Sequence, residues 1–264
     1  MRLLLCLLIF IPALLAGQDR YTVSATPLDS VVALKAEEFV GIDSYQNLYF
    51  IKNKTFIKTN RDKTFQFSDL LLGDISDVDL LNPLRITLFY SESNTAVILD
   101  NTLNEITRIK FNEIENFRNV SHVRTASDNQ LWIFNTDLQR LELYNYKNKT
   151  LQSDFTPQKN NAIALANSFN TCWVLTEGLL YKYNQYGSLL NKQEAKDLTE
   201  IQLSEDTLFG LKKGSIYVRI RNEALWIPVK NLPQDVNAFY LNGRILYLYR
   251  SDLISTYKLN LPKI

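Results

Sequence analysis

One short phrase recurs six times along this chain and ends each time on an aromatic. Its clearest copy is Thr125-Ala-Ser-Asp-Asn-Gln-Leu-Trp-Ile-Phe134, a polar turn that runs straight into an apolar strand. Other copies begin at Asp43, Asn167, Ser204 and Asn242, and a looser one begins at Leu81. The closing aromatics are Tyr49, Phe89, Trp132, Trp173, Phe209 and Tyr247, spaced 40, 43, 41, 36 and 38 residues apart. An echo of about 40 residues built from strand and turn is the sequence signature of a propeller blade. The expected fold is therefore all-β, a single six-bladed β-propeller of four-stranded antiparallel blades. A two-sheet sandwich also has short strands and frequent turns. It gives no reason for a 40-residue echo.

The rest of the chain fits that count. Residues 1–17 hold one Arg and then an apolar run ending in small residues, the pattern of a secretory signal peptide. An uncleaved anchor is the alternative, although the run is shorter than the roughly 20 residues of a membrane span. Residues 18–37 form an N-terminal segment with a spare strand near Val31–Lys35, and the propeller occupies 38–264. The sixth blade has only three strands before the chain ends, so the spare strand is expected to complete it and close the ring. Closure hides sheet edges that would otherwise pair with other chains. Gln193-Glu-Ala-Lys196 is good helix chemistry and would suit a short helix, but residues 192–200 are expected to form a loop or one turn.

Composition narrows the function classes. Hydrophobic residues are 46% of the chain, enough for a sizeable core. Lys and Arg number 29 against 28 Asp and Glu, and loss of residues 1–17 removes one Arg, leaving 28 against 28. A net charge near zero argues against nucleic acid and anionic membrane surfaces as partners. Cys6 lies in the signal, so Cys172 has no partner for an intramolecular disulfide. An exported, disulfide-free chain reads as bacterial and periplasmic, a monomer or an accessory subunit.

A propeller's site usually lies in the central channel, on the innermost strand of each blade. Successive side chains on a strand point to opposite sides. That alternation sends Gly41, Asp79, Arg124, Ala164, Gln202 and Phe239 into the channel as one ring, and Phe39, Asp77, His122, Ala162, Glu200 and Asn237 as the next. The candidate binding residues are thus Asp77, Asp79, His122, Arg124, Glu200, Gln202, Asn237 and Phe239. Calcium takes six to eight oxygens, several from carboxylates, and Asp77, Glu200 and Asn237 with Asp79 nearby could supply some. The competing arrangement is a solvated ion-pair network with Arg124 and His122. No catalytic residue is assigned: Gly-x-Ser-x-Gly and His-Glu-x-x-His are absent, and His122 is the one histidine. Cys172 reads as a small core residue.

The six echoes of Asp-x-x-Asn-Leu-Tyr/Trp resemble the repeats of bacterial six-bladed propellers of the NHL-like and regulator type, over about residues 38–260. The resemblance implies that the polar turn links the two inner strands and that the aromatic wedges between blades. The chain departs from such repeats in having only 8 glycines and a proline, Pro83, in the second turn. Calcium-dependent lactonases share the fold, but their metal residues find no one-to-one match. The sequence therefore reads as an exported propeller that binds a protein or envelope component through one face, without a cofactor. The alternative is a calcium-dependent hydrolase that uses the channel.

Overall fold

The computed structural model describes residues 22–151, 155–219 and 225–261; the expected signal peptide, residues 1–17, lies outside them. The N-terminal strand is β1 (Ser24–Ala33). Blade one is β2 (Glu38–Ile42), β3 (Leu48–Lys52), β4 (Thr55–Thr59) and β5 (Thr64–Phe67). Blade two is β6 (Asp77–Asp79), β7 (Ile86–Tyr90), β8 (Thr95–Leu99) and β9 (Glu105–Lys110). Blade three is β10 (Val120–Thr125), β11 (Gln130–Asn135), β12 (Arg140–Asn145) and β13 (Thr150–Leu151). Blade four is β14 (Ala162–Asn167), β15 (Thr171–Thr176), β16 (Gly178–Asn184) and β17 (Leu189–Ala195). Blade five is β18 (Leu198–Ser204), β19 (Thr207–Lys212), β20 (Ser215–Arg219) and β21 (Trp226–Pro228). Blade six is β22 (Ala238–Asn242), β23 (Ile245–Arg250) and β24 (Leu253–Asn260), with β1 as its outer strand.

The protein is a six-bladed β-propeller. Each of the first five blades is an antiparallel meander from the inner strand outwards. The ring closes where β1 pairs with β24, from Ser24 opposite Asn260 to Ala33 opposite Leu253, with a bulge between Pro27 and Val31. The closing strand thus starts seven residues before the expected Val31. The segment read as a loop or helical turn is also strand. Residues 192–195 end β17, Asp197 turns with φ 64°, and β18 starts at Leu198. Helix propensity is overridden here because Gln193 and Lys192 pair with Leu180 and Tyr181 of β16.

Position in the blade explains the strand compositions. Second strands are covered on both faces and read as apolar runs: β7 (Ile-Thr-Leu-Phe-Tyr) and most of β11 and β15 are buried. Outer strands such as β5 and β9 are polar and partly exposed. The six repeat aromatics sit in six separate apolar clusters, one per blade boundary. Tyr49 lies between blades one and two, Phe89 between two and three, and Trp132 between three and four. Trp173 lies between four and five, Phe209 between five and six, and Tyr247 between six and one. All six are at most 4% exposed. Truncating an aromatic at such a site typically costs about 3–5 kcal/mol.

Turn chemistry makes up for the scarce glycine. Asp43 Oδ1 accepts the backbone N–H of Tyr45 and of Asn47, both at 2.9 Å. Asp100, Asn60 and Asn184 cap their hairpins with the same local bonds. Among the described residues fifteen non-glycine positions have positive φ, seven of them Asn or Asp, which tolerate it best.

Candidate functional site

The inner strands run in the same direction, so their C-terminal ends and the loops that follow gather on one face. They enclose a central cavity of about 350 Å³. Its wall takes residues from all six blades, among them Asp43, Asp79, Arg124, Asn167, Gln202 and Tyr240. Five of the wall residues, Asp43, Leu81, Asn167, Ser204 and Asn242, are the first residue of a copy of the repeated phrase. The echo therefore marks the cavity as well as the fold.

Asp79 is a structural tie. Its Oδ2 accepts the Thr125 N–H at 2.6 Å and the Asn167 side-chain amide at 3.0 Å, and its Oδ1 accepts the Leu81 N–H at 2.9 Å. The Asn167 amide also donates to the Thr125 carbonyl at 2.7 Å. One carboxylate thus links blades two, three and four. Asp43 plays the same part in blade one, where its Oδ2 accepts from Asn47 Nδ2 and from the Tyr49 hydroxyl, both at 2.8 Å.

Deeper in the channel, near the starts of the inner strands, lies an ionic group. Arg124 is half-buried and forms a salt bridge with Asp77. Its Nε donates to the Leu165 carbonyl at 3.3 Å and its Nη1 to that of Val123 at 3.2 Å. Burial alone would depress the Arg124 pKa, but Asp77 and Asp79 outweigh it and raise it. Glu200 accepts from Gln202 Nε2 at 3.0 Å, and that amide donates also to the Phe239 carbonyl at 2.6 Å. Desolvation pushes the Glu200 carboxyl up to about 7 against the pull of Gln202 and Arg124, with Glu38 and Asp77 adding to the rise. Glu38, although exposed at the start of β2, is pushed to about 7 as well, first by desolvation and then by Asp77. His122 has both ring nitrogens engaged: Nδ1 is 2.9 Å from the Ser121 hydroxyl and Nε2 is 3.0 Å from the Ile163 carbonyl. Only a protonated Nε2 can bond a carbonyl, so the neutral ring carries its hydrogen there and accepts at Nδ1. Burial lowers its pKa.

The alternation expected for the channel holds for the key residues of three inner strands, β6, β10 and β18, and fails on the other three. Asp77, Asp79, His122, Arg124, Glu200 and Gln202 belong to the cavity wall or the ionic group beneath it. Phe239 does not. It is 2% exposed in the core between blades five and six, and its neighbour Tyr240 lines the cavity instead. Asn237 is exposed, precedes β22 and is held through its backbone N–H to the Tyr249 carbonyl. In β2 a bulge between Phe39 and Gly41 shifts the register, so Phe39 joins the core with Tyr249 and Val40 lines the cavity. On β14 a bulge between Ala162 and Ala164 likewise breaks the simple alternation. The oxygens considered for calcium are therefore dispersed: Asp79 is engaged by three neutral donors, Asp77 faces Arg124, and Asn237 lies elsewhere. Among the described residues no group of three or more His, Cys, Asp or Glu is arranged to hold a metal ion.

Glu38 and Tyr240 were not legible from simple alternation. A signal for Tyr240 existed, because Phe239 and Leu241 are more apolar than Tyr240 and so compete better for the core side. Glu38 is exposed at the start of β2, and its link to the ionic group is electrostatic. Gly41 shows how closely Tyr240 is seated: a Cβ there would fall 2.6 Å from the Tyr240 ring. Glycine is required for that close approach. Cys172 is fully buried in the core between blades three and four, and burial raises its pKa.

No protein-family model matches the sequence, and no curated protein does. Solved structures match the fold. A chain of the mitotic checkpoint complex shares 11% identity over 97% of this chain and 98% of its own, with a TM-score of 0.62. Catalytically inactive virginiamycin B lyase from Staphylococcus aureus, solved with Quinupristin, shares 8% identity over 90% of this chain and 99% of its own, with a TM-score of 0.59. PorZ, an essential bacterial surface component of the type-IX secretion system of Porphyromonas gingivalis, shares 12% identity over 88% of this chain, with a TM-score of 0.52. This chain matches only 34% of PorZ, about a third of its length. At such identities the likeness establishes the propeller fold, and one fold hosts many activities.

Proposed function

We propose that this is an exported propeller of the bacterial cell envelope that binds a protein or envelope component through the face carrying the central cavity. The observation that carries this reading is the make-up of that face. The inner loops and the third-to-fourth-strand hairpins lie on that face, and they expose Tyr45 (78%), Leu84 (66%) and, further out on blade four, Tyr186 (77%). Exposed tyrosine and aliphatic side chains on a preformed disc suit recognition, since little entropy is lost on binding. The export-type N-terminus and the near-zero charge of the remainder agree with such a role. The likeness to PorZ, a bacterial surface component, points the same way. Within this reading the ionic group under Arg124 is structural.

Photo-crosslinking in the native envelope tests the face. A crosslinker at position 45 or 186 should trap one discrete partner. One at position 71, a 94%-exposed leucine in the loop between blades one and two on the opposite side, should not. Crosslinks from position 71 alone would overturn the assignment. The reading involves no metal, so EDTA followed by millimolar calcium should leave the melting temperature unchanged. A calcium shift of several degrees, lost in Glu200→Ala, would favour a hydrolase in the channel instead.

A further inference from the structure

A second pocket lies between blades two and three, among the inner loops of the cavity face, and shares no lining residue with the central cavity. Its volume is about 310 Å³, and small-molecule sites commonly span about 300–1,000 Å³ with a largely apolar lining and a few placed polar groups. Ile98, Ala126 and Leu131 close its floor, each at most 2% exposed. The rings of Tyr146 and Phe169 line it as well.

Hydrogen bonds between neighbouring loops hold the rim. Asn82 makes a turn in which its Oδ1 accepts the Leu84 N–H at 3.0 Å and its carbonyl accepts the Arg85 N–H at 2.9 Å. The Ser127 N–H donates to the Phe169 carbonyl at 3.1 Å, and the Tyr146 N–H to the Asn129 carbonyl at 3.0 Å. Arg85 Nη1 crosses from blade two to blade three, donating to the Asp128 carbonyl at 3.2 Å and to Asn129 Oδ1 at 3.3 Å. A rim already fixed in this way loses little entropy when a ligand enters.

Two charged residues line the pocket, Arg85 and Asp128, and both are exposed. The bonds of the Arg85 guanidinium go to neutral oxygens, those of the Asp128 carbonyl, the Asn129 amide and the Tyr146 hydroxyl. Among the described residues neither Arg85 nor the Asp128 carboxylate belongs to an ion pair. They are not paired with each other, although the guanidinium touches the Asp128 backbone. A ligand carrying one charge only would meet a like charge here: an anion at Arg85 would have Asp128 beside it, and an amine at Asp128 would have Arg85. A ligand carrying both charges close together answers both residues.

We propose that this pocket binds a free apolar α-amino acid. Its carboxylate would take the guanidinium of Arg85, its ammonium group the carboxylate of Asp128, and its side chain the apolar floor beside Tyr146 and Phe169. The site goes beyond the recognition role of the surrounding face and is tested without a partner protein.

The probe is L-leucine, titrated into the protein by calorimetry and by thermal melting at constant ionic strength. N-acetyl-L-leucine keeps the carboxylate without the ammonium, L-leucinamide keeps the ammonium without the carboxylate, and glycine keeps both without the side chain. Saturable binding of L-leucine is expected, with a rise of a few degrees in melting temperature, and each of the three controls should bind at least about tenfold more weakly. Arg85→Gln should weaken L-leucine by a similar factor. Asp128→Asn should do so too while leaving N-acetyl-L-leucine no weaker, and asparagine tolerates the φ of 54° at this position. The melt of each unliganded variant shows that the fold is intact. Absence of saturable L-leucine binding, equal binding of L-leucine and its N-acetyl derivative, or undiminished binding in Arg85→Gln would overturn the proposal.

Discussion

At the scale of single residues, the polar groups of the channel divide into ties and misfits. Asp79 is a tie. Asp79→Ala would strand the Thr125 and Leu81 N–H groups and release Asn167, and leaving buried donors unpaired costs about 1–3 kcal/mol each. A net loss of about 3 kcal/mol is expected, read as a lower denaturation midpoint with an unchanged slope. Glu200 is a misfit, since its carboxyl is pushed from an ordinary 4.5 to about 7, foremost by desolvation. The sign follows from linkage. The unfolded chain releases this proton near pH 4.5 and the folded chain only near 7, so stability falls as pH rises between those values and stays reduced above them. Glu200→Gln keeps the acceptor for Gln202 and removes the charge. It should stabilise the protein by about 1–3 kcal/mol at pH 8 and have little effect at pH 4. Denaturant melts at the two pH values measure the difference, and equal effects at both would show that Glu200 is not held protonated.

Among the elements, β1 has the largest consequence for its length. It is the one strand that joins the first part of the described chain to the last, through its ladder with β24. It also packs Val23 and Ala25 into the cluster between blades five and six. Removing residues 22–33 would uncover the β24 edge and open those contacts. Exposed edges template pairing with other chains. The expected outcome is loss of the cooperative melt together with higher-order species in size-exclusion chromatography. A truncated chain that stays monomeric and melts cooperatively would show that the interblade clusters hold the ring alone. The strand's composition gave a partial signal: Val31-Val-Ala-Leu34 reads as strand, whereas Ser24–Ser30 contains a proline and a bulge that hide it.

For the whole molecule, closure sets what the channel can be. Six inner strands run parallel around one axis, so one face collects their C-terminal loops and the central cavity. The same closure explains why Glu38, on an exposed-looking strand start, feels Asp77, Arg124 and Glu200 from three other blades. The proposed recognition face follows from this geometry, and the crosslinking contrast between positions 45 and 71 addresses the molecule at this scale.

The sequence by itself determined the blades. Tyr49, Phe89, Trp132, Trp173, Phe209 and Tyr247 recur at a blade's length because each blade boundary needs an aromatic wedge, and Asx residues recur before them because each inner turn needs local hydrogen-bond acceptors. It also showed that Asp77, Arg124 and Glu200 lie on inner strands. Only the tertiary structure decided which side of β2 and β22 faces the axis. Bulges shift the alternation of β2 without a mark in composition, and the choice between Phe239 and Tyr240 depends on which ring the neighbouring blade can cover. The pairing of Asp79 with Thr125 and Asn167 was equally beyond local reading, because residues 46 and 88 positions apart meet only when the ring closes.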